Sequence, residues 1–173
     1  MNVLLQISLI VLPTAAVLLT TIFFLRRESE KETSNLRTEL KKQRQKYFLP
    51  GRVESYQRVI LLMERIHPGN LTMRLHKPNT TAKSLQTSLL KAIREEYDHN
   101  VAEQLFISPE AWGMVKKSKE ESIKIINIAA NSVGPTQSST EMATKLFEIV
   151  AELETLPTEI TIELLKKEFQ KLF

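Results

Sequence analysis

The sequence predicts an all-α protein: an N-terminal transmembrane helix and stalk followed by a cytoplasmic bundle of about five helices. Three observations predict it. Residues Val3 to Leu25 form a run of 23 residues without a charge. At about 1.5 Å rise per residue such a run can cross a hydrocarbon core of about 30 Å. Further on, apolar residues recur at three- and four-residue spacing, the period of one helix face. Between these segments stand Pro50-Gly51, Pro68-Gly69, Pro109, Gly134-Pro135 and Pro157, residues that end or open helices.

The first run differs from a cleaved signal peptide. Met1-Asn2 carries no basic side chain, the run is longer than the usual ~7–15 residues, and Ile22-Phe23-Phe24-Leu25 offers no small-residue cleavage site. Every Lys and Arg follows the run, so the basic side is expected to face the cytoplasm. The expectation is a single-pass protein of the inner membrane, with its N-terminus outside and residues 26–173 in the cytoplasm. Pro13 falls near mid-span, where a membrane helix tolerates it if neighbours re-satisfy the backbone.

The net charge of +4 is unevenly placed. Residues 26–52 hold nine Lys or Arg against four Glu, and residues 53–173 hold fifteen against sixteen acids. The basic segment therefore reads as a juxtamembrane stalk, with Arg26, Arg27, Lys41, Lys42, Arg44 and Lys46 meeting an anionic lipid surface. A nucleic-acid binder would carry its basic stripe on the folded body, so none is expected. The chain has no cysteine, which excludes disulfides, thiolate chemistry and cysteine metal sites. Asn70-Leu71-Thr72 and Asn79-Thr80-Thr81 match the glycosylation pattern by chance if this part is cytoplasmic.

The elements follow in order, giving an anchor over 1–25, a stalk over 26–51 and a helical domain over 52–173. The stalk is rich in helix formers; Leu36, Leu40 and Tyr47 make a thin apolar seam, and Pro50-Gly51 should break the helix. Val53, Tyr56, Val59, Ile60, Met63 and Ile66 mark an amphipathic helix over about 52–66, stopped by His67-Pro68-Gly69. Residues 70–80 read as an irregular connector with Leu71, Met73 and Leu75 tucked inward. A helix over about 82–107 buries Leu85, Leu89 and Ile93, and its stripe continues through Glu96 and Asn100. A carboxylate there needs a partner, such as Arg58, Arg65 or Arg74. The alternative is a helix that ends near His99-Asn100.

Ser108-Pro109-Glu110 opens the next helix, to about 132, with Trp112, Val115, Ile123, Ile126 and Ala130 inside. Ser138 or Ser139 caps a helix to about 156 that buries Met142, Leu146, Ile149, Val150 and Leu153. Pro157 breaks it, and a last helix over about 159–172 carries Ile160, Leu164, Leu165, Phe169 and Leu172 inward, with Phe173 docked at its end.

Chemistry-bearing motifs are few. Glu64-Arg65-Ile66-His67 and Glu96-Tyr97-Asp98-His99 place a carboxylate and an imidazole on one helix face, as dinuclear metal sites in bundles do. Yet His67 stands at a helix end beside Pro68, and His99 lies off the Leu85-Leu89-Ile93 stripe. Asp98 is the lone aspartate, no hydrolase triad is recognisable, and the four glycines form no phosphate loop. No enzyme activity, cofactor or metal is expected.

Three blocks of residues resemble a known family. Glu54-Ser55-Tyr56-Gln57-Arg58 with Leu62 to Ile66, Pro68 and Asn70-Leu71 make the first. Ile93 to Asn100, Gln104 to Ser108 and Trp112 make the second, and Leu165 to Glu168 with Leu172-Phe173 the third. The chain resembles an uncharacterised family of small single-pass membrane proteins of the Bacteroidota. Phe106 stands where that family has Tyr, and His67 where it has a small polar residue. The resemblance implies no activity. It implies that Arg58, Glu64, Arg65, Arg94, Glu96, His99 and Asn100 belong to one polar constellation, structural or a partner site.

The functional expectation is a membrane-anchored cytoplasmic interaction or scaffold domain whose partner is another protein or a second copy. The alternative is a metal- or small-ligand-binding bundle using Glu96, His99 and Glu64.

Overall fold

The computed structural model describes residues 3–171, with side chains from residue 12 onward. It is all-α: α1 Val3–Ile66, α2 Pro68–Leu75, α3 Ala82–Asn100, α4 Pro109–Val133, α5 Ser139–Glu152 and α6 Pro157–Gln170, with a 3-10 turn over Val101–Leu105. The chain divides into two compact units, Met1–Leu49 and Pro50–Phe173. Among the described residues no helix is long and apolar enough to cross a membrane. The expected anchor over Val3–Leu25 begins with nine residues whose side chains lie outside the described set. Leu172 and Phe173, expected to dock, also lie outside it.

The first unit is helix throughout its described length, and the side chains of residues 12–48 are exposed. The expected break at Pro50-Gly51 does not occur, because α1 is helical on both sides of it. A proline keeps a helical φ and forfeits one backbone hydrogen bond, a cost that one turn of a long helix absorbs.

The second unit buries one core. From α1 come Tyr56, Val59, Leu62, Met63 and Ile66; from α3, Leu85, Leu89 and Ile93; from α4, Trp112, Val115, Ile126 and Ala129; from α5, Met142 and Leu146; from α6, Ile162 and Leu165. Helix α4 lies against α3, α5 and α6. The Tyr56 and Phe169 rings meet at 5.7 Å, tying α1 to α6.

Caps explain most boundaries. His67 closes α1 and opens α2: its Nδ1 accepts from the Asn70 amide at 3.4 Å, and Pro68 takes the first helical position. The expected connector at 70–80 is therefore corrected to a helix that ends at Leu75. Its buried residues are Pro68, Gly69, Leu71 and Thr72, a helical spacing, and Met73 points to solvent. Leu71, Met73 and Leu75, expected inward, alternate along the chain, but a proline at N1 with a side-chain cap outweighs so short an alternation.

Helix α3 ends at Asn100 rather than 107, and its stripe gives way to the 3-10 turn. Asn100 donates from Nδ2 to the Glu96 carbonyl at 2.8 Å, occupying an acceptor in the last turn. At the other end Thr81 Oγ1 accepts from the Ser84 amide at 3.2 Å. The Ala82 amide donates to the Gln137 carbonyl at 2.8 Å, beside an antiparallel bridge between Thr81 and Ser138. Ser108 and Ser138 cap α4 and α5 as expected, accepting from Ala111 and Glu141 amides at 3.0 and 3.2 Å. Gly134 closes α4 with φ +92°, a region that favours glycine.

Helix α5 ends at Glu152, short of the expected 156, and Pro157 instead starts α6, where Glu159 Oε2 accepts from the Leu156 amide at 2.9 Å. The buried face of α6 is Thr158, Thr161, Ile162 and Leu165, so Ile160, expected inside, is 48% exposed. Threonine substitutes for an apolar residue here because Thr161 Oγ1 and Ser118 Oγ lie 2.8 Å apart and Ser118 also donates to the Pro157 carbonyl at 2.8 Å. Leu153, just past the end of α5, is likewise 42% exposed rather than core.

Candidate functional site

The polar residues expected to form one constellation fall into separate groups. Glu96 on α3 is the centre of the largest. Its Oε1 lies 2.7 Å from Arg65 on α1 and 3.8 Å from Arg74 on α2. The Glu96 side chain keeps 16% of its exposure, so an unpaired charge there would be costly, and two guanidinium groups offset that cost. The pairing expected for Glu96 is present, and it joins three helices.

Arg58 belongs elsewhere. It pairs with Glu54 one turn back at 2.7 Å and approaches Glu103 of the 3-10 turn at 3.6 Å. Ser55 donates to the same Glu103 at 2.6 Å. The carboxylate of Glu64 accepts from Asn70 Nδ2 at 3.4 Å. Arg94 and His99 are exposed, and among the described residues neither has an ion-pair partner. Arg94 projects about 140° from the Leu85–Leu89–Ile93 stripe at 100° per residue, which is why a neighbour in sequence is no neighbour of Glu96 in space.

The residues of the metal alternative stay apart. Glu96 is held by arginines, Glu64 by Asn70, and His99 faces solvent. His67 uses Nδ1 as a cap and turns Nε2 toward Glu159 at 4.0 Å. Among the described residues no three His, Asp or Glu side chains are placed to hold a metal ion.

A second polar junction was not foreseen. Glu168 on α6 accepts from Ser108 Oγ at 2.6 Å and from the Tyr56 hydroxyl at 3.1 Å. It thereby links the start of α4 to α1 and α6. Burial pushes the Tyr56 phenol up, and the neighbouring Glu168 carboxylate adds to the rise. The available signal was that Tyr56, Ser108 and Glu168 stand in the three separate blocks that carry the family resemblance. Nearby, the Trp112 and Tyr97 rings meet at 5.8 Å and Lys119 Nζ sits 4.4 Å from the Tyr97 ring centre, the packing role expected of Trp112.

A groove of about 530 Å³ lies between the start of α4 and α6. Gly113, Met114, Ile160 and Leu164 line its apolar part. Thr155 and the charged residues Glu110, Glu159, Glu163 and Lys167 complete the lining, three acids against one base. Gly113 lies inside α4, where glycine costs about 1 kcal/mol relative to alanine. A Cβ there would meet nothing within 4 Å, so no close approach demands glycine, and its missing side chain deepens the groove.

A family described as "Family of unknown function (DUF7935)" matches residues 2–172. The chain belongs to this family. No curated protein and no solved structure matches it. In this family member the motif residues mostly hold the fold: Tyr56, Leu62, Ile66, Leu71 and Ile93 are buried, and Arg65, Glu96, Ser108 and Glu168 join helices. The basic residues Arg26, Arg27, Lys41, Lys42, Arg44 and Lys46 are all exposed on the N-terminal helix.

Proposed function

We propose that this protein is a non-enzymatic, single-pass docking protein whose helical domain captures a basic amphipathic helix of a protein partner at the cytoplasmic face of the inner membrane. The groove between α4 and α6 carries the reading: an apolar floor of Met114, Ile160 and Leu164 under a rim of Glu110, Glu159 and Glu163. An amphipathic helix laid in such a groove buries its apolar face and sets Lys or Arg against the carboxylates. Ile160 supports this reading, since it is the residue of α6 that the core leaves out. The anchor is the uncharged run Val3–Leu25, followed by the exposed basic residues on which an anionic leaflet can act. The resemblance to single-pass membrane proteins of the Bacteroidota supports the same placement. The Arg65–Glu96–Arg74 group is a structural clamp in this reading, and no nucleic acid or cofactor takes part.

Crosslinking of the full-length protein in its native membrane, followed by mass spectrometry, tests it. The expected capture is a protein whose crosslinked segment is a basic amphipathic helix. Gly113→Leu fills the groove and should abolish capture, while the melting temperature holds or rises because α4 loses a glycine. Met73→Glu, at an exposed position on α2, should leave capture unchanged. Capture that survives Gly113→Leu would remove the groove from the reading, and release of the chain by alkaline carbonate would remove the anchor.

A further inference from the structure

The exposed seam on the N-terminal helix is more regular than its three apolar residues suggest. Ser29, Thr33, Leu36, Leu40, Gln43 and Tyr47 follow alternating spacings of four and three, the a and d positions of a heptad. Leu36, Leu40 and Tyr47 are 64%, 55% and 84% exposed, so within the first unit nothing covers them. The flanking positions are charged throughout: Glu32, Glu39 and Lys46 at g, and Glu30, Arg37 and Arg44 at e.

We propose that this seam is the contact of a parallel, in-register two-stranded coiled coil between two copies of the chain. In a parallel pair a g residue faces the e residue five positions on in the other strand. Glu32 then faces Arg37 of the partner subunit, and Glu39 faces Arg44 of the partner subunit. Both pairs are attractive, and twofold symmetry repeats each of them. An antiparallel pair that opposes the Leu36 and Leu40 layers keeps Glu32 against Lys46 and Glu30 against Arg44, but it sets Glu39 against its own copy and Arg37 against its own copy, two repulsions that the parallel pair lacks. The charge order therefore selects both the partner and the direction. Lys41 and Lys42 occupy outer positions of the heptad and stay free for an anionic surface.

The seam spans fewer than three heptads, and Thr33 and Gln43 are polar, so the contact is weak in dilute solution. Two copies inserted in one membrane already share a direction and a raised effective concentration. That last point rests on the anchor proposed above; the charge order does not.

The chain has no cysteine, so single cysteines report the contact without background. In native membranes, oxidation of Leu36→Cys and of Gln43→Cys should each give a disulfide-linked dimer. Gln45→Cys, on the opposite face, should give about fivefold less, because a disulfide needs close, facing Cβ atoms. In the Leu36→Cys background, Glu39→Arg should lower dimer yield about fivefold, and adding Arg44→Glu should restore it, the gain expected of one pair made twice. Equal yields at 36, 43 and 45 would overturn the seam. Crosslinking at only one of positions 36 and 43 would overturn the parallel register. A yield indifferent to Glu39→Arg, or one not restored by the double exchange, would overturn the charge pairing.

Discussion

Two leucines on helical apolar stripes have opposite fates. Leu36 and Leu89 both lie in helices, yet Leu36 is 64% exposed and Leu89 fully buried. The difference is in what surrounds the helix. Around α3 stand α2, α4 and α5, each offering an apolar face, whereas the helix of residues 12–48 has no second element within its unit. The comparison teaches that an apolar stripe is an unfilled requirement until its partner is known. In the second unit the chain fills it; in the first the seam remains open to another molecule.

The largest expected effect breaks this comparison at its centre. Leu89→Ala should cost about 3 kcal/mol of unfolding free energy, the transfer term plus a cavity, and Leu36→Ala less than about 0.5 kcal/mol. Denaturant unfolding of the full-length chain, followed by Trp112 fluorescence, measures both. A cost for Leu36→Ala equal to that of Leu89→Ala would mean that the seam is already part of the folded core.

The same contrast holds for charge. Glu96→Gln removes one partner of a half-shielded pair held by Arg65 and Arg74, with an expected cost of about 1–2 kcal/mol. Glu54→Gln removes an exposed pair one turn from Arg58 and should cost far less than Glu96→Gln. Unfolding in raised salt sharpens the distinction, since screening weakens the exposed pair first.

The smallest effect is a pH dependence. The folded state raises the Tyr56 phenol above its ordinary value near 10, through burial and then through Glu168. Between the unfolded and folded values the native state therefore binds more protons, and stability falls as pH rises. The contribution is complete below about pH 10 and is lost as pH passes through the raised value. Tyr56→Phe should flatten that alkaline loss, read from urea midpoints on either side of pH 10. An unchanged alkaline slope would place the loss on other groups.

Much of the fold was legible because caps and helix period are local. Ser108-Pro109-Glu110, Gly134-Pro135 and the Leu85–Leu89–Ile93 stripe each announce their structure within a few residues. The misreadings occurred where two local signals competed. At 70–75 a short alternation opposed a proline start, and the start prevailed; at 100–107 the stripe was extended beyond the Asn100 side-chain bond that closes the helix. The site was less legible. Glu96 was expected to need an arginine, because a carboxylate on a buried stripe must be paired, and Arg65 answers it. Arg94 and His99 were grouped with it on the family resemblance, but they project to solvent.

By itself the sequence determined the helical class, the uncharged run Val3–Leu25, the basic segment beside it and most helix starts, since each depends on composition or on bonds spanning three or four residues. Only the tertiary structure decided which arginine meets Glu96, that Tyr56 and Ser108 share Glu168, and that Gly113 and Ile160 line a groove. Those are contacts between residues far apart along the chain. No local period encodes them, because they depend on how several helices pack at once.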